Sequence, residues 1–93
     1  MIYPFVELND GTNIVYSEAK MVDGKEKVKV YMEKPDAEVG FRHATCWLPD
    51  YKWEDIYGFT DEEMNYLNGF VESTAHIIIR LARCGDFENV ANY

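Results

Sequence analysis

His43 and Cys46 stand three apart in the order H-x-x-C, the first place in this chain where a metal could be sought. In an extended strand a separation of three sends the two side chains to opposite faces, whereas zinc needs four ligands converging on one point. The chain has two histidines and two cysteines, Cys46 and Cys84, and neither C-x-x-C nor H-x-x-x-H occurs. The spacing therefore predicts no metal site, with Cys46 a small core residue and His43 on the surface.

Glu72, His76 and Arg80 recur every four residues and so line one helical face, as an acid–base row would. The same spacing describes a solvated row of charge pairs, and Ser73 beside it lacks the glycine elbow and oxyanion donors that activate a serine. The glycines form no phosphate-binding loop. No catalytic residue and no cofactor are expected.

The third candidate is acidic. Asp50, Glu54, Asp55, Asp61 and Glu62 crowd into a segment in which Lys52 is the sole base before the helix, and they form a candidate acidic patch. The order D-x-D-x-D-G of a calcium loop is missing, and Tyr51, Trp53 and Tyr57 interrupt the acids, so a negatively charged surface is expected rather than a cation site. The formal net charge of the chain is -8, which opposes attraction to phosphate backbones and anionic lipid. Direct nucleic-acid binding and membrane association are accordingly not expected. The first residues show neither a basic segment nor a long apolar run, and the few cysteines make no disulfide framework, so the expected address is the cytoplasm with reduced thiols.

These residues need elements to position them. Residues 2–8 are rich in strand formers and lead into Asn9-Asp10-Gly11, a hairpin signal, after which residues 13–21 read as a second strand. Asp23-Gly24 repeats the signal before residues 25–34, where Val28, Val30 and Met32 alternate with Lys27, Lys29, Tyr31 and Glu33. Residues 35–40 read as a longer turn, because Pro35 ends a ladder, and residues 41–48 as a fourth strand. Connections this short leave no room for crossover helices, so an antiparallel meander of order 1-2-3-4 is predicted. Residues 49–59 follow neither period and read as an ordered loop or a short turn of helix, held by its aromatics.

Thr60-Asp61-Glu62-Glu63 matches a capping box, with Phe59 and Met64 placed as a hydrophobic staple. From there Met64, Leu67, Val71, Thr74, Ala75, Ile78, Leu81 and Ala82 share one helical face, so one long helix should cover the sheet and end near Gly85. Asn68-Gly69 conflicts with that helix and marks a point where it would kink or break. The tail, residues 86–93, would dock through Phe87, Val90 and Tyr93. The whole, residues 1–93, reads as a single small α+β domain: a four-stranded antiparallel meander sheet packed against one C-terminal helix.

Folding alone leaves an aromatic surplus. If Val28, Val30 and Met32 face the helix together with Ala44, Cys46 and Leu48, then Tyr31, His43, Thr45 and Trp47 occupy the other sheet face, which needs a cover of its own. Tyr31, His43, Trp47, Tyr51, Trp53 and Tyr57 form the candidate interaction surface, since aromatics rimmed by acids suit a binding patch. The expected role is a non-catalytic interaction or regulatory protein, of bacterial or mobile-element type, whose partner is another protein or a second copy of itself. The rival expectation is a small-molecule binder or small enzyme with a pocket between sheet and helix that uses His43 or His76.

Overall fold

The computed structural model describes residues 2–84. In chain order they form β1 (Ile2–Glu7), β2 (Asn13–Ser17), β3 (Lys20–Val22), β4 (Lys25–Asp36), β5 (Gly40–Leu48), β6 (Lys52–Tyr57) and α1 (Asp61–Cys84). All strand pairs are antiparallel, and the sheet runs β1-β2-β4-β5-β6, with β3 pairing to β4.

This six-stranded sheet corrects the expected four-stranded meander of order 1-2-3-4 in two places. First, the expected second strand over residues 13–21 is divided. β2 pairs with β4 through Ile14↔Met32 and Tyr16↔Val30, whereas β3 pairs through Lys20↔Lys27 and Met21↔Glu26, a register offset by one residue. The extra residue is absorbed between the two, where Ser17 Oγ accepts from Lys29 N at 3.0 Å and Ala19 N donates to Ala82 O at 3.1 Å. The strand thus breaks where the end of α1 meets it.

Second, the aromatic stretch expected as a loop contains a strand, β6, paired to β5 through Thr45↔Glu54 and Cys46↔Trp53. Its alternation is hidden by a bulge: the register shifts between Thr45 and His43, and Asp55 takes φ 54°. Trp53 and Tyr57, four apart, therefore land on opposite faces. A smaller difference lies in β4, which continues through Pro35 opposite Phe41. β2 has already ended opposite Glu33, so Pro35 has no neighbour on that side and its missing N–H costs no ladder bond.

The turns follow their residue types. Asp23 (φ 52°) and Gly24 (φ 79°) are both left-handed, as a two-residue type I′ hairpin requires. At the β1–β2 turn Asp10 Oδ1 accepts from both the backbone N (3.0 Å) and the hydroxyl (2.7 Å) of Thr12. Asp36 Oδ1 likewise accepts from Glu38 N and Val39 N between β4 and β5.

One sheet face and α1 enclose the core: Ile14, Tyr16, Val28, Val30, Met32, Ala44, Cys46 and Leu48 meet Leu67, Val71, Ala75, Ile78 and Ala82. Phe5 packs edge-on against Phe70 and Tyr16 at its margin. The capping box is present, with Glu63 N donating to Thr60 Oγ1 (3.1 Å) and Thr60 N to Glu63 Oε1 (2.9 Å). The helix runs unbroken through Asn68-Gly69, the pair that conflicts with it by residue type. Asn68 Oδ1 accepts from Trp53 Nε1 at 2.9 Å, so the residue that weakens the helix ties it to β6. The expected stop at Gly85 and docking of the tail lie outside the described residues.

Candidate functional site

α1 covers one face of the sheet, and no other described element lies over the second. Cross-strand register fixes what that open face carries. One row across the sheet is Pro4, Val15, Tyr31, Thr45 and Glu54; on one side of it lie Lys29, Trp47 and Lys52, and on the other Glu33, His43 and Tyr57. Strand alternation places them together, because residues two apart share a face.

The aromatics form a continuous strip. Tyr31 stacks on His43 with centroids 6.4 Å apart, and His43 on Tyr57 at 5.4 Å. His43 Nδ1 lies 2.9 Å from the carbonyl oxygen of Asp55, inside the bulge, which fixes the imidazole plane against the rings on either side. Tyr31 donates its hydroxyl to Glu33 at 3.0 Å, and burial, reinforced by Glu33, raises its pKa above the ordinary phenol value. Trp47 donates its indole N–H to Glu54, and Lys29 lies over its ring, 6.0 Å from the centroid. Thr45 is buried at the centre of the face, under these larger neighbours. Tyr57 (49%), Phe41 (51%) and Ile2 (64%) remain well exposed, and a hollow of about 190 Å³ opens between Ile2, Val15, Lys29 and Tyr31.

Charge on this face is sorted by end, which sequence reading missed. Every lysine except Lys34 belongs to one end: Lys20 pairs with Lys27 across the β3–β4 hairpin, Lys25 and Lys29 flank Lys27 on the same face of β4, and Lys52 lies across Trp47 from Lys29. Asp50 sits among them, bonded to Lys27, and its carboxyl is held below the usual range first by that bond and then by the lysine charges around it. Glu7, Glu33 and Asp55 occupy the opposite end, Glu7 and Glu33 in one row through Asn13. The signal was in plain view, as Lys25-x-Lys27-x-Lys29 at strand period, but the net charge of the whole chain obscured it.

The expected surface is thus only partly one surface. Tyr31, His43, Trp47 and Tyr57 come together on the open face. Trp53 points to the helix side and is half-buried against the core, while Tyr51 sits in the β5–β6 turn with φ 56°. Of the acidic patch, Asp50, Glu54 and Asp55 lie along β6 and its turn, whereas Asp61 and Glu62 belong to the first turn of α1, where they complement the helix dipole.

The remaining candidates are structural or dispersed. His43 and Cys46 face opposite sides of β5, and burial pushes the Cys46 thiol up to about 12. His76 is exposed on the outer side of α1, beside Ile79, Arg80 and Arg83. A hollow of about 600 Å³ lies between the β1–β2 turn and the start of α1, lined by Val6, Leu8, Phe59, Tyr66 and Leu67 with Glu7, Asp10, Glu62 and Glu63. It contains neither histidine. Two of its carboxylates are already engaged, Asp10 by Thr12 and Glu63 by the backbone of Thr60 and by Arg42. Among the described residues no three His, Cys, Asp or Glu side chains converge as metal ligands, and no helix is long and apolar enough to cross a membrane. Comparison with protein-family models, with curated proteins and with solved structures finds no match to this chain.

Proposed function

We propose that this chain is an interaction protein, regulatory rather than catalytic, which binds a protein partner through the open face of its sheet. The observation that carries this reading is the aromatic strip Tyr31–His43–Tyr57 with Trp47 beside it, on a face that no described element covers. Antiparallel sheets often leave one face to solvent, but such faces are normally polar at alternate positions. Here Tyr31, His43, Trp47 and Tyr57 stand among the charged positions, and Tyr and Trp bury large area at low entropic cost and are enriched at binding hot spots. The sheet edges favour the face over strand addition: β1 carries Pro4 and a register shift, and β6 carries charges and the Asp55 bulge, features that blunt an edge. The hollow beside α1 supports a small-molecule reading less well, since its acids serve a turn and a helix cap.

Substitution tests the assignment. Trp47→Arg and Tyr57→Arg should abolish association with whatever protein the wild type holds, a second copy included, while Tyr66→Arg on the outer side of α1 should leave it intact. Association that survives both face variants and fails in the helix variant would refute it.

A further inference from the structure

The charge pattern of the open face carries the reading further, to the identity of the occupant. Lysines gather at one end of the strands and Glu7, Glu33 and Asp55 at the other, with the row Val15, Tyr31, Thr45 between them. Lys29 and Glu33 lie on one strand, each two residues from Tyr31, so each is about 6.6 Å along the strand from that row. A surface with opposite charges at equal distances on either side of a midline is complementary to itself after a half-turn about that midline.

We propose that the occupant is a second copy of this chain, the two open faces packing as a β-sandwich about a two-fold axis that lies between the sheets and crosses the strands at the level of Tyr31 and Thr45. This rests on the proposed use of the open face for binding and adds the partner and the geometry. The other in-plane axis, parallel to the strands, would set lysine end against lysine end and is disfavoured by charge. With the axis across the strands each strand lies over its own counterpart. Lys29 then faces Glu33 of the second copy, Trp47 faces His43, and Lys52 faces the Asp55–Tyr57 end of β6; each contact occurs twice. Thr45, small and central, leaves room for the larger side chains around it. At the rim Glu54 meets its own counterpart, with Trp47 donating to it and Lys52 next to it on the same face.

The area sets the strength. Five strands at about 4.8 Å spacing and about six residues of length give roughly 24 by 20 Å, or about 1,000 Å² for the two faces together before side-chain relief is added. Interfaces near that size lie at the border between transient and stable, and a dissociation constant in the micromolar range is expected.

Sedimentation or light scattering across a dilution series tests the proposal. Wild type should pass from dimer to monomer over micromolar concentrations, with weaker association at high salt. Lys29→Glu and Glu33→Lys alone should each weaken the dimer at least tenfold, because each homodimer then holds two like-charge contacts. Mixed one to one, or combined in one chain, they should restore it, since every contact is again opposite in sign. Circular dichroism of each variant establishes that the protomer is folded. A dimer that both single variants leave unchanged, or that the mixture fails to restore, would overturn the two-fold sandwich. A wild-type monomer at every concentration that still loses a different protein partner on Trp47→Arg would overturn the second copy and leave the proposed function standing; a monomer with no face-dependent partner would overturn both.

Discussion

Replacing glycine by alanine at two positions should change stability in opposite directions. Gly69 lies inside α1, exposed, with no atom within 4 Å of the place a Cβ would occupy. An alanine there meets nothing and restores helix propensity, worth about 0.8–1.0 kcal/mol. For a domain this size each kcal/mol corresponds to roughly 4–8 °C in Tm. Gly58 is different: its φ is 85°, and a Cβ would come within 2.8 Å of Arg42 Cγ and 3.2 Å of Arg42 Cβ. The left-handed backbone costs a residue with a Cβ about 1–2 kcal/mol. Arg42 cannot swing clear, because its Nε is bonded to Asp36 (2.7 Å) and its Nη1 to Glu63 (3.1 Å), so overpacking adds a further ~1–3 kcal/mol. Gly58→Ala should therefore lose about 2–5 kcal/mol. Urea unfolding followed at 222 nm, at one fixed protein concentration, reads both midpoints. A Gly69→Ala variant that is neutral or less stable would refute the reasoning, since it would mean that the chain does break at Asn68-Gly69 and that the glycine serves a turn there.

Asn68→Ala removes the acceptor of Trp53 Nε1, leaving a half-buried donor unpaired at a cost of about 1–3 kcal/mol, against a propensity gain of about 0.7 kcal/mol. A net loss of about 1 kcal/mol is expected; stabilisation by alanine would show that the bond contributes nothing. Stability should also fall in acid. Glu63 is held below its usual pKa first by the backbone N–H of Thr60, Asp10 by the Thr12 hydroxyl, and Asp36 by the backbone N–H groups of Glu38 and Val39. Carboxyls depressed in the folded state stabilise it above their unfolded values, 4.5 for Glu63 and 3.8 for the two aspartates, and that contribution disappears as pH falls through the lower folded values. The urea midpoint should accordingly be flat with pH above about 5 for these groups and decline below it; a midpoint that rises between pH 5 and 3 would contradict the sign.

Local chemistry and strand or helix period were enough to show that the chain alternates through antiparallel strands into one long helix, where that helix begins, and which side of β4 and β5 meets it. Each of these depends on near neighbours: Asp-Gly for a left-handed turn, Thr60 with Glu63 for a cap, Val28-Val30-Met32 for a buried side. The same alternation assigned Tyr31, His43 and Trp47 to one face, because parity survives wherever a strand is regular. It failed at residues 17–19 and 55–56, where a bulge resets parity and nothing local announces it: the first is set by the meeting of the strand with the end of α1, the second by the pairing of β6 with β5. That is why β6 read as a loop, and why Trp53 and Tyr57, named together for one surface, lie on opposite faces of it. Charge shows the same division. Composition determined that the chain is acidic overall, but only strand pairing, which brings Lys20 and Lys52 to the row of Lys25, Lys27 and Lys29, decided that its open face has a basic end and an acidic one.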